Sequence, residues 1–233
     1  TSTPQITPLD NQTLTAIFDP ESASSVPTPT ILPTLPSDPH IPHSLLQMLK
    51  AREIAVIRTI ESAAPSEKHM SYLHARQSFE DLISAHLTYA SAYNNLAQLI
   101  RWRFGDRGTL VHRDTEMEKE VGRAMNDAIV ALNKAVKLAA PETPTAPVSP
   151  AQARTLAQAY TQLGSIFYSA FKDLQAAEED GVTWREERFE EEASRCFFRG
   201  GLYGNEIGRA MAVHTNPYAK LCGSIVKEAM RRE

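Results

Sequence analysis

The sequence predicts an all-α chain, built as a stack of helical hairpins behind an extended N-terminal arm. Three observations carry that expectation. Apolar residues recur at steps of three and four almost continuously from Ser44 onward, the period of a helix with one buried face. No stretch alternates polar and apolar residues as a half-buried strand does. Small residues recur where two paired helices would have to approach closely. The 233 residues are enough for one domain or at most two. A formal net charge of −4 and a pI near 6.0 lack the basic footprint of a nucleic-acid binder. No run of eighteen apolar residues offers a membrane span, and no basic-then-apolar leader pattern opens the chain. Cys196 and Cys222 are the only cysteines, and they read as free thiols of a reducing compartment. The expected location is cytoplasmic, with the nucleus as a second place.

The arm covers residues 1–43. Its first 42 residues hold nine of the fifteen prolines, and Ser and Thr fill much of the rest. That composition favours extended or disordered chain. One apolar knot, "LTAIFDP", interrupts it with Leu14, Ile17 and Phe18. Burying side chains of this size is worth about 1.5–3 kcal/mol each. The knot therefore predicts a strap docked on the body rather than a free tail.

Residues 44–233 read as the helical domain. Ser44 is the expected N-cap of a first helix to Ser62, with Leu45, Leu49, Val56 and Ile60 on one face. A second helix runs from Glu67 to Tyr89 and carries Ala75, Phe79, Leu82, Ile83 and Leu87. The third lies in "SAYNNLAQLIRWRFGD", Ser91–Asp106, with Tyr93, Leu96, Ala97, Ile100 and Phe104 inward. The fourth spans Glu116 to Ala139 on Ala124, Ala128, Leu132, Ala135 and Leu138. After the Pro-rich connection "APETPTAPVSP", Ser149 caps a fifth helix to Leu174, with Tyr160, Leu163, Phe167 and Phe171 along one side. The sixth covers Thr183 to Arg199 on Phe189, Ala193, Cys196 and Phe197, and "GGLYGN" breaks it. A seventh runs from Asn205 to Val213. An eighth follows "TNP", where Pro217 suits a first helical position, and carries Leu221, Cys222, Ile225, Val226 and Ala229.

These helices fit a repeated pair. Tyr93…Leu96-Ala97…Ile100 has the aromatic, Leu-small, apolar pattern of a tetratricopeptide first helix, and Ala128…Leu132…Ala135 suits its partner. Tyr160…Leu163-Gly164…Phe167 repeats the first pattern, with Ala193…Phe197…Gly200 as partner. Ala75…Phe79…Leu82 supplies another second helix. The expected architecture is a tetratricopeptide-repeat solenoid of three hairpins with a C-terminal capping helix pair. Insertions at 106–117 and 173–184 lengthen its inner turns.

Three patches, "NQTLTAIFDP", "ASAYNNLAQ" and "NPYAKLCGSIVKEAM", resemble the tetratricopeptide repeat protein 36 family in content and order, across nearly the whole chain. The insertions and the longer Pro-rich arm depart from that family. The resemblance implies a three-repeat protein without catalytic activity that binds other proteins. It also implies links to seventy-kilodalton heat-shock chaperones and to enzymes of tyrosine breakdown.

A repeat groove that grips an acidic chaperone tail needs Lys, Arg and Asn converging on carboxylates. Asn95 stands where such a clamp has an amide. The flanks of Tyr160, however, are the neutral Gln158 and Gln162, and Lys50 is followed four residues on by Ile54. The expected partner is thus a protein or peptide, with a heat-shock chaperone allowed but not through an acidic-tail clamp. The groove candidates are Tyr93, Asn94, Asn95, Gln98, Gln158 and Gln162, although the two asparagines also suit plain solvated surface. His69 and His74 lack a metal-ligand spacing, and no catalytic arrangement or phosphate loop is visible, so no metal, cofactor or catalytic residue is expected. The acidic run Glu186–Glu192 reads as a solvated face. Arg101, Arg103 and Arg107, with Trp102, could bind an anion, but they read better as a basic helix end matching the dipole there. Trp102, off the apolar stripe, is a contact for the strap. The leading expectation is a non-enzymatic, co-chaperone-like adaptor. A structural regulator whose groove is filled by its own arm is the alternative, and an enzyme with an unrecognised site the remote one.

Overall fold

The computed structural model describes residues 28–107, 110, 115–143, 145–176 and 184–216, the side chains of 184–187 excepted. Seven α-helices follow one another among the described residues. They are α1 (His43–Glu61), α2 (Lys68–Ala85), α3 (Ala90–Phe104), α4 (Glu116–Ala139), α5 (Pro150–Ala176), α6 (Trp184–Leu202) and α7 (Glu206–Thr215). A single 3-10 turn, Pro65–Glu67, precedes α2. The described residues contain no strand, only an isolated parallel bridge between Ile31 and Val148. The all-helical class is as expected. The Leu14, Ile17 and Phe18 knot and the eighth helix from Pro217 lie outside the described residues.

The helix ends follow local chemistry. Thr115 and Glu118 form a reciprocal capping box at the start of α4, and Ser149 does the same with Gln152 for α5, at 3.2 Å and 2.9 Å. Asn205 caps α7 through the Gly208 N–H at 2.8 Å. Ser44 does not cap α1. The helix begins one residue earlier, behind Pro42, whose φ of −57° already suits it and which offers no side-chain bond. The expected second helix is shorter than its apolar pattern suggested. It stops at Ala85, and a turn over 86–89 leaves Leu87 exposed. Conversely, α6 runs through Gly200 and Gly201 to Leu202 before Gly204, at φ 96°, turns the chain. The glycines do not end it, because a helix packed on both sides tolerates their propensity cost.

Each helix packs on the next, most extensively α5 on α6, α6 on α7 and α3 on α4. One apolar core runs from Leu46 and Leu49 of α1, through Phe79, Ile100, Met125 and Leu132, to Ile166 of α5. A second gathers Ala193, Phe197, Phe198 and Ala212 at the α6–α7 joint. In α1 the buried line is Leu46, Leu49 and Glu53, with Leu45, Val56 and Ile60 only half-buried. A carboxylate thus occupies a core position of the first helix.

The arm residues nearest the helices lie against the α4–α5 junction. Leu32 N–H donates to Val148 O and Val148 N–H to Thr30 O, both at 2.9 Å. Ser149 Oγ donates to Ser37 O at 3.3 Å. Ile41 is buried beside the start of α1.

Candidate functional site

Helices α1, α3 and α5 supply one continuous set of polar side chains, centred on the paired asparagines. In a helix, successive residues are turned by about 100°, so Asn94 and Asn95 cannot face the same neighbour. Asn95 faces α1 and donates from Nδ2 to Glu53 Oε1 at 3.0 Å. Tyr89 Oη and Ser91 Oγ donate to Glu53 Oε2 at 2.7 Å and 3.1 Å. Asn94 faces α5: its Oδ1 accepts from Gln162 Nε2 at 2.9 Å, and its Nδ2 donates to Gln158 Oε1 at 3.2 Å. Arg101 continues the line, donating to Gln162 Oε1 at 3.1 Å and to both carboxylate oxygens of Asp106 at 2.7 Å.

Burial raises the Glu53 carboxyl above its usual range, and its three hydrogen-bond donors and the Lys50 charge only partly offset that. Burial likewise pushes the Tyr89 phenol well up. Both are held in place rather than presented to solvent.

This geometry revises the candidate list. Asn94 is 2% exposed and Gln162 8% exposed, and their amides are spent on each other, so neither is offered to a groove ligand. Asn95 is half-buried and tied to Glu53. Tyr93 donates its hydroxyl to Leu87 O at 3.1 Å. Gln98 and Gln158 are exposed. Sequence reasoning missed Glu53. The available signal was that it continues the Leu46, Leu49 spacing at a place where an apolar residue belongs. Arg101 is an internal ion pair and an amide partner rather than a free basic helix end.

The open part of the surface lies next to this polar set. A pocket of about 180 Å³ between α1 and α3 is walled by Ile57, Ile60, Leu99 and Trp102, with Asn95 and Gln98 among its lining. Ser91, Asn95, Gln98 and Trp102 sit at steps of four, three and four on α3, which brings them to one face. Trp102 is 37% exposed, and the Lys68 ammonium lies 4.6 Å from its ring centroid. The strap knot expected to touch it lies outside the described residues. A second cleft of about 140 Å³ at the other end of the groove face is bordered by Asp38 of the arm, Lys50, Ser91 and Gln158. No arm residue among those described lines the Ile57–Trp102 pocket. Among the described residues no three His, Cys, Asp or Glu side chains gather as a metal site. Nor is any described helix long and apolar enough to cross a membrane.

The chain is similar to the L-tyrosine degradation gene cluster protein hmgX of Aspergillus fumigatus. The identity is 36%, covering 100% of this chain and 94% of that protein. It is also similar to the tetratricopeptide repeat protein 36 homolog of Drosophila melanogaster, at 28% identity over 96% of this chain and 94% of that protein. No family model matches the chain, and no solved structure matches it.

Proposed function

The chain belongs to the family of the L-tyrosine degradation gene cluster protein hmgX, and on that premise we propose that it is a non-enzymatic adaptor of L-tyrosine degradation. Its helices form a solenoid of three tetratricopeptide hairpins, α1–α2, α3–α4 and α5–α6, with α7 beginning the cap. The groove of first helices binds a segment of a partner protein, and the partner is an enzyme of tyrosine breakdown. It works in the cytoplasm.

The observation that supports this reading is the Ile57–Ile60–Leu99–Trp102 pocket beside exposed Gln98. It offers an apolar slot with an amide rim, which suits an apolar or aromatic side chain on an extended peptide. The neutral flanks of Tyr160 and the committed amides of Asn94 and Gln162 argue against an acidic-tail clamp as the mode of binding.

Affinity capture from a native extract, using the full chain and an Ile57→Glu variant as baits, tests the proposal. Wild type should retain an enzyme of tyrosine breakdown, and the variant should lose it while keeping its helical circular dichroism. Equal retention by both baits would place the partner elsewhere. A calorimetric titration with an acidic chaperone tail peptide should show no saturable heat. Micromolar binding abolished by Asn95→Ala would reverse that part of the reading. If removing residues 1–27 raises peptide affinity, the arm is the pocket's own occupant and the protein is a self-filled regulator.

A further inference from the structure

A third pocket lies apart from the other two, where α2 and α4 meet the last turn of α3. It is an open cleft of about 640 Å³, a volume within the usual range for small-molecule sites. Three guanidiniums from three helices line it: Arg76 of α2, Arg103 of α3 and Arg123 of α4. Two carboxylates face them, Glu120 and Asp127, with His69 at the edge.

Among the described lining residues the charges do not cancel. Arg76 is already satisfied, with Nε donating to Glu80 at 2.8 Å, Nη1 to the Tyr72 hydroxyl at 3.2 Å and Nη2 to Asp127 at 3.3 Å. Among the described lining residues that leaves Arg103 and Arg123 opposite Glu120, and neither arginine makes an ion pair with a described residue. Arg103 carries the single buried side-chain nitrogen without a hydrogen-bond partner among the described residues, its Nε. A sealed, unpaired donor on a charged group is costly. Its guanidinium carbon lies 5.3 Å from the Phe104 ring centroid. The wall behind is aromatic: Phe104 meets buried Tyr72 edge-to-face at 5.6 Å, with half-exposed Leu73 alongside.

We propose that this cleft binds a carboxylate carried on an aromatic or apolar body, with Arg103 and Arg123 taking the carboxylate and the Phe104, Tyr72 and Leu73 wall taking the body. A guanidinium matches a carboxylate with two parallel N–H donors, a geometry an ammonium cannot offer. Either a free aromatic acid or a partner's acidic side chain beside an aromatic one supplies that chemistry.

The test is calorimetric titration of the full chain with three probes: phenylacetate, its neutral analogue phenylacetamide, and a blocked peptide bearing one Glu beside one Phe. Phenylacetate should saturate and the amide should not. Arg103→Gln and Arg123→Gln should each weaken binding by about tenfold, the scale of losing one charge-assisted contact. Ile207→Ala, at an exposed position of α7 outside the cavity lining, should leave it unchanged. Saturation by the peptide alone, with the same dependence on both arginines, supports the site and assigns the carboxylate to a protein partner. The proposal is overturned if neither acid saturates, if the amide binds as tightly as the acid, or if the arginine variants bind as wild type does. Arg123 is exposed, so its variant keeps the test decisive should Arg103→Gln fold poorly.

Discussion

The two ends of this helical stack are joined by different physics. Between α1, α3 and α5 the helices are bolted by polar side chains: Glu53 to Asn95, Asn94 to Gln162, and Gln162 to Arg101. Between α5, α6 and α7 they are joined by missing side chains. A Cβ on Gly164 would stand 2.7 Å from the Phe197 ring, and one on Gly208 would stand 3.0 Å from both Gly201 N and Phe197 O. The polar joint depends on directional partners, each of which must be present. The glycine joint depends on shape, and the backbones themselves are the contact surface. A fault in the first leaves an unpaired group, whereas a fault in the second pushes whole helices apart.

The largest effect should come at the glycine joint. Phe197, 1% exposed at the centre of the α6–α7 cluster, should cost about 3–5 kcal/mol as Phe197→Ala, by loss of contacts and the cavity left behind. Urea melts followed by circular dichroism measure it. Next comes Gly208→Ala. Alanine ordinarily favours a helix, but here the new methyl meets backbone atoms that cannot rotate away. The overpacking cost of about 1–3 kcal/mol should win, and a gain in stability would break the idea that shape governs this end.

At the polar joint, Asn94→Ala should cost about 1–3 kcal/mol by stranding the Gln162 amide. The Asn94→Leu, Gln162→Met double variant should recover part of that loss, since neither of these two amides is then left unpaired, although Arg101 loses its Gln162 acceptor. Its comparison with the single variants in a thermodynamic cycle measures the coupling. No such pairing is open to Gly208. The smallest effect is a slope. Burial raises the Glu53 carboxyl, so the native state holds that proton more tightly than the unfolded chain does. Its contribution is full below the unfolded carboxyl range and fades as pH rises through the raised native value. Glu53→Gln, locked in the uncharged form, should lose that decline. Stability curves for the two proteins, measured at a series of mildly acidic pH values, should diverge as pH rises. Parallel curves would mean that Glu53 is ionised at no net cost.

The apolar period made most of the helices legible, because burying one face is what holds each one in place. Ala128, Leu132 and Ala135 are fully buried where their spacing put them, and Thr115, Ser149 and Asn205 stand directly before helix starts. Boundaries slipped where a pattern ran past its support. Leu87 continues the spacing of α2 but has no neighbour to bury against, and Gly200 reads as a stop yet serves as a contact. The candidate groove was half legible. The sequence named Asn95 and Gln98 as candidates and assigned Trp102 to the strap, whereas the structure lines one pocket with all three. It could not tell which amides were already spent.

The sequence by itself determined the helical class and the order of the described helices, because those follow from local propensity and a one-dimensional period. Packing decided which residues of a stripe are buried, as with Leu46 and Glu53 rather than Leu45 and Val56 in α1. The tertiary structure alone decided what Asn94 and Asn95 do. Two adjacent residues point about 100° apart on a helix, so their partners lie on α1 and α5, some forty and seventy residues away in the chain. No pattern along one helix can specify a hydrogen bond whose acceptor arrives from another.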